Sequence, residues 1–173
     1  MALTQVETGM IKDAAVTSAK MASGAARSNF GAGAVLQVVS ASTLSNTNTS
    51  STSYVDVGGL TASITPASAS NKILVLLNCS ALVSKPASST YGDIYMALVR
   101  GSTVLSEDRR AINFGVSTWS DFFAGFAFSH LDSPSSASSV TYKAQIKSPS
   151  SSPMVAPPGS PLLSTITLLE IAA

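Results

Sequence analysis

Charge is what this 173-residue chain has least of. Only 11% of its residues are Asp, Glu, Lys or Arg, under half of the usual share of about 25%. The balance is 10 basic against 9 acidic residues, a net charge of +1. That balance offers no electrostatic capture of nucleic acid or of an anionic membrane, so neither is expected as a partner. Cysteine occurs once, at Cys79, which excludes an intrachain disulfide. Lying inside an apolar run, Cys79 reads as a small buried hydrophobe. His130 is the sole histidine, so the usual His and Cys cluster of a zinc site is missing. The acids are not clustered as calcium would require, and no cofactor is expected. There is no G-x-S-x-G elbow, no P-loop and no dinucleotide fingerprint. Long apolar runs are absent too. The most apolar stretch, "NKILVLLNCSALVS" at 71–84, falls short of the roughly 20 residues of a membrane span, and no membrane insertion is expected. The opening "MALTQVETGMIKD" has neither a basic n-region nor a long apolar core, so no signal peptide is expected.

What is present is hydroxyl and apolar side chain. Ser and Thr fill roughly a quarter of the chain, and 45% of it is hydrophobic. The length suits one domain with a real core. In 71–84, Ile73, Val75, Leu77, Cys79, Ala81 and Val83 alternate with Leu74, Leu76, Asn78, Ser80 and Leu82. Period two over that length predicts a strand with one apolar face and one half-apolar face. The pattern recurs in "GAVLQVVS" (33–40), "SVTYKAQIK" (139–147) and "STITLLEI" (164–171). "SYVDVGGLTASIT" (53–65) reads as one strand bulged at Gly58-Gly59. "DIYMALVRGSTVLSED" (93–108) reads as a hairpin turning at Arg100-Gly101-Ser102. "SDFFAGFAFSH" (120–130) places Phe122, Ala124, Phe126 and Phe128 on one face and Phe123, Gly125, Ala127 and Ser129 on the other. Lys143 and Lys147 are expected to face solvent, and Glu170 to sit at a solvent edge. About eight strands and no helix between Ala34 and Ile171 predict an all-β, antiparallel, jelly-roll-like β-sandwich. An immunoglobulin-like sandwich is the nearest rival and lacks the Cys–Trp–Cys spacing.

Residues 1–33 are different: rich in Ala and Gly, with little to bury beyond Met10, Ile11, Val16 and Met21. A short extended, partly helical segment of this kind is not stable alone. Two readings stand, an attachment and stalk segment or a loose tail. The domain boundaries follow as 1–33 and 34–173. A chain this poor in charge has too few ions to coat itself, which points to a symmetric homo-oligomer. The half-apolar faces of 72–83 and 120–129 are the candidate contact, with Leu82 and Phe123 as anchors beside Met10, Ile11, Val16 and Met21.

A family resemblance rests on three segments. "TGMIKDAAVTSAKMASGA" resembles the G-x-I-x-D-x-A-V-T-x-A-K element of tail-fibre and related virion proteins of tailed bacteriophages, cyanophages especially. "SYVDVGGLTASITPASASNKILV" is similar to the β-rich domain that often follows it, and "STITLLEI" to that domain's closing strand. The resemblance implies a homotrimeric structural protein of the virion, docked on other virion proteins through its N-terminal segment. It leaves open a tail fibre, a head fibre, or a capsid decoration or adaptor.

Enzymatic activity is not expected. Glu107 and Asp108 are adjacent, and neighbours on a strand point to opposite sides, whereas glycoside hydrolysis needs two carboxylates that converge. "EDRR" (107–110) reads as a solvated turn or an inter-subunit salt bridge. Recognition by loops is the better prospect. With 53–65 as one bulged strand, parity sends connections 41–52, 84–92, 107–119 and 148–163 to the end away from the stalk. Tyr91 and Trp119 there suit stacking on a host-surface glycan, and Asn46, Asn48 and Asn113 suit hydrogen bonds to its hydroxyls. The competing reading takes Trp119, at a strand start, as a packing residue and the Ser-rich loops as inert solvated surface.

Overall fold

The computed structural model describes residues 31–84, 91–113, 121–149, 154–156, 158 and 162–173. The N-terminal residues Met10, Ile11, Val16 and Met21, and Trp119, lie outside them. Among the described residues ten strands follow one another: β1 (Val35–Thr43), β2 (Asn48–Thr49), β3 (Val55–Ile64), β4 (Lys72–Ser84), β5 (Tyr91–Arg100), β6 (Thr103–Asn113), β7 (Asp121–Asp132), β8 (Val140–Lys147), β9 (Met154–Val155) and β10 (Ser164–Ile171). All pairings are antiparallel.

Two sheets result. In the first, β1, β10, β4 and β7 lie side by side. The long strand β4 outruns β10, and the two-residue strands β9 and β2 continue the sheet beyond it. In the second the order is β3, β8, β5, β6. With the two short strands set aside, the first sheet holds the first, eighth, third and sixth long strands, and the second holds the second, seventh, fourth and fifth. That interleaving of two four-stranded sheets is the jelly-roll order, so the chain is a jelly-roll-like β-sandwich.

Side-chain alternation builds the core between the sheets. Ile73, Val75, Leu77, Cys79, Ala81 and Val83 of β4 face Leu60 and Ile64 of β3, Ile94, Met96 and Leu98 of β5, and Tyr142 and Ile146 of β8. Phe126 and Phe128 of β7 and Ile166 and Leu168 of β10 complete it. Fully burying a side chain of this size contributes roughly 1.5–3 kcal/mol.

Two glycines set local geometry. The β3–β8 register shifts between Asp56 and Thr61, and Gly59 has φ +76°. A Cβ there would meet Thr43 Oγ1 at 2.7 Å, so glycine is needed for conformation and for space. Gly101, φ +57°, is the first residue of the two-residue turn joining β5 to β6, where a II′ hairpin needs glycine.

Three expectations need correction. "EDRR" is not a turn: it lies in the middle of β6. Connections 41–52 and 148–163 are not simply loops. Asn48 and Thr49 pair with Val155 and Met154, and Thr47 exchanges backbone hydrogen bonds with Ala156. Two polar residues are too short a run to show alternation. Glu170 is not at a solvent edge but fully buried. It shares parity with Ile166 and Leu168 and so points inward. Its carboxylate accepts from Gln37 Nε2 (2.6 Å), Ala67 N (2.7 Å) and Asn71 Nδ2 (2.6 Å), tying β1 and the β3–β4 connection to the closing strand.

Candidate functional site

Strand direction gives the sandwich two unlike ends. The chain enters at one, where Gly33 N donates to Ala172 O at 2.9 Å, joining the described start to the C-terminus. Ser84, Tyr91, Asn113, Asp121 and Lys147 mark the other end, from which connections 44–54, 85–90, 114–120 and 148–163 leave. Gly58-Gly59 is a bulge and not a hairpin turn, so the parity expected from the sequence holds.

At that second end the outer face of the β5 sheet carries a layered cluster. Tyr95 lies between Lys147 of β8 and Arg109 of β6 in the register. Tyr54 immediately precedes β3 on the far side of Lys147. Lys147 Nζ sits 4.2 Å from the Tyr54 ring centre and 4.8 Å from that of Tyr95. The Arg109 guanidinium sits 5.5 Å from Tyr95 and 5.8 Å from Tyr91. Cations and rings therefore alternate: Tyr54, Lys147, Tyr95, Arg109, Tyr91. Each contact is attractive because the cation meets the negative face of the ring.

The carboxylates of this face are engaged as well. Arg109 donates to the Tyr91 hydroxyl and to Asp93 Oδ2 at 3.2 Å. Tyr54 reaches across β8 and β5 to donate its hydroxyl to Glu107, which also pairs with Lys147 at 3.4 Å. Ala97, in register between Gln145 and Glu107, is small enough to lie fully buried beneath that reach. Burial, and then the bond to Glu107, hold the Tyr54 hydroxyl well above the usual tyrosine range. Beside them Asp56 accepts from Lys143 (2.9 Å) and Gln145 (2.6 Å), which hold its pKa below the ordinary value. Lys143 and Lys147 do face outward, but both are partly covered and ion-paired.

The structure brings two of the expected recognition residues together. Tyr91 and Asn113 are direct cross-strand partners at the open end of the β5–β6 hairpin. Tyr91 is 36% exposed, with Arg109 over its ring. Asn46 is exposed in the connection after β1, whereas Asn48 is taken into β2. Tyr54, Tyr95, Arg109 and Lys147 were missed. Tyr95 and Lys147 carry a signal, since both have outward parity on their strands, but their meeting depends on β5 pairing with β8.

The outer face of the first sheet is chemically opposite. Among the described residues of its strands the only charges on this face are marginal, Lys72 at one end and Asp121 at the other. Val38, Leu169, Leu74 and Leu131 line up across all four strands in one register row. Val38 and Leu131 are 58% and 51% exposed. Near the other end Leu82 and Phe123, both expected as contact anchors, are direct cross-strand neighbours, and Phe123 is 60% exposed.

Where the sheets approach at the entry end, Arg100 of β5 grips both oxygens of Asp132 of β7 at 2.8 and 2.7 Å. Buried Tyr142 of β8 donates to the same carboxylate at 2.7 Å, so the cluster clamps the two sheets together. Burial, then the Asp132 bond, raise the Tyr142 pKa. Burial pushes the Cys79 thiol up to about 11, an inert state. Among the described residues no three His, Cys, Asp or Glu side chains gather as a metal site.

No family model and no curated protein matches the sequence. The solved structures similar to it include the VP2 subviral particle of infectious bursal disease virus, at 16% identity and a TM-score of 0.34, covering 79% of this chain and 38% of that one. The structure of the Gx strain of infectious bursal disease virus is similar at 12% identity and a TM-score of 0.33, covering 79% and 37%. This chain thus spans well under half of either, and likeness at that level carries no argument. The jelly-roll assignment rests on the strand order of this chain itself.

Proposed function

We propose that this chain is a structural component of a bacteriophage virion, a short trimeric tail fibre. In this reading residues 1–33 attach it to the particle and the jelly-roll domain is displayed for host-surface recognition. The observation that carries the reading is the polarity of the sandwich. The described chain begins at one end, the side on which the phage-type element precedes it in sequence, while the two longest connections, 44–54 and 148–163, leave the opposite end, where Tyr91 and Asn113 also lie. An attached end and a presenting end on opposite poles are what a display module needs, and connections on a rigid β scaffold are the usual place for recognition. The presented ligand class is a surface glycan, met by tyrosine faces and amide groups. The reading includes no enzymatic role. Glu107 lies on the outer face of β6 and is held by Tyr54 and Lys147, while Asp108 has the opposite parity and pairs with Arg110 at 2.7 Å.

Immunogold labelling of purified particles with an antibody to the chain tests the location. Label at the tail is expected. Label over the head shell moves the protein to the head-fibre or capsid-decoration role. Absence of the chain from the particles ends the proposal.

A further inference from the structure

We propose that the outer face of the β1–β10–β4–β7 sheet receives a second copy of this chain, with Phe123 of one copy seated in a depression over Gly125 of the other. The inference rests on the assembly reading above and names the surface that carries it.

The first observation is charge. On the opposite face Asp56, Asp93, Glu107, Arg109, Lys143 and Lys147 neutralise one another within the subunit. Between Lys72 and Asp121 no described strand carries a charge on this face, and Arg110 of β6, which reaches its hollow, is already paired with Asp108 at 2.7 Å. A partner bringing ions here would bury them unpaired, at a cost of several kcal/mol each. The partner surface must itself be free of charge, and this same face on another copy meets that condition.

The second observation is relief. Phe123 stands out from the face, braced on Leu82. One residue pair along, Ser80 opposes Gly125, and the next pair outward is Asn78 with Ala127. Together with Cys79, Phe126, Leu163 and Arg110 they line a depression of about 300 Å3. A Cβ added to Gly125 would meet nothing within 4 Å, so no packing inside the subunit requires glycine there. A projecting ring and an open hollow side by side on one face let the ring of each copy enter the hollow of the next, a head-to-tail contact that closes as a ring around a three-fold axis.

The third observation is size. Four strands at about 4.8 Å and eight to nine rows at about 3.4 Å give a face of roughly 500 Å2 per copy. Three such faces turned to one axis bury about 1,500 Å2 in all, close to the standard size for a specific association. The aliphatic row Val38, Leu169, Leu74 and Leu131 supplies the apolar contact at the other end of the face.

Sedimentation velocity of the full chain from 1 to 100 µM tests this. The wild type is expected to be an oligomer, a trimer if the fibre reading holds. Phe123→Ser and Gly125→Leu should each raise the midpoint of dissociation by at least tenfold with the far-UV spectrum unchanged. Ser63→Lys on the opposite face should leave it in place. A monomeric wild type, or an oligomer that both variants leave intact, overturns the inference. A dimer that both variants dissolve keeps this surface and removes the three-fold symmetry. Particle labelling stands apart from this result: a chain absent from virions that still dissociates on Phe123→Ser loses the virion role and keeps the interface.

Discussion

Val38, Leu169, Leu74 and Leu131 cross one sheet in a single row, and Lys147, Tyr95 and Arg109, with Tyr54 before them, cross the other. Both rows face away from the shared core. In the second, each ring has a cation against it and each cation a carboxylate close by, so the side chains find their partners inside the subunit. In the first the row holds no charged residue, and the side chains at the two sheet edges are more than half exposed. An outer sheet face can thus be finished in two ways, by internal pairing or by leaving apolar surface for something else to cover.

The contrast can be broken most sharply by placing a charge in the aliphatic row. Leu74→Lys should abolish assembly of the full chain across the micromolar range, a loss of 100-fold or more, read by sedimentation. The same experiment with Thr61→Lys on the other face should show no change. If both variants assemble like the wild type, the two faces do not differ in the way described.

Stability gives the converse test. Tyr95→Ala removes the ring shared by Lys147 and Arg109 and should cost about 2–4 kcal/mol in urea unfolding, from lost aromatic burial plus two cation–π contacts. Leu76→Ala on the other face should cost the dissociated subunit under about 1 kcal/mol, because that side chain is already 37% exposed. Equal losses would mean that the tyrosine–cation layering contributes nothing.

At the edge where the sheets meet, Gly59→Ala should cost about 1–3 kcal/mol, since it combines a positive φ with a 2.7 Å approach to Thr43. Thermal unfolding reads it, and Gly31→Ala, in open space, is the neutral control.

The smallest effect is acid sensitivity. The Asp56 pKa is depressed by Lys143 and Gln145, so its contribution is present above the ordinary carboxylate pKa and fades as pH falls through the lower folded value. Because its side chain is 57% exposed, the loss should stay under about 1 kcal/mol. Unfolding midpoints between pH 5 and 2, compared with Lys143→Ala, isolate it.

Period-two alternation alone determined a good deal. It divided β4 and β7 into core and outer faces, put Leu82 and Phe123 on the same kind of face, and kept 53–65 as one bulged strand. From that followed which connections share an end. These properties are local: a strand sends successive side chains to opposite sides whatever lies beside it. Tertiary structure decided which strands became neighbours. The aliphatic row joins Val38 to Leu169, and the layered cluster joins Tyr54 to residues of β5, β6 and β8; no window of sequence contains either. The burial of Glu170 was decided the same way. Its inward parity was readable, but the donors that make burial tolerable come from Gln37, Ala67 and Asn71. A carboxylate is kept inside by hydrogen bonds from residues about a hundred positions away, which only the closed sandwich brings within reach.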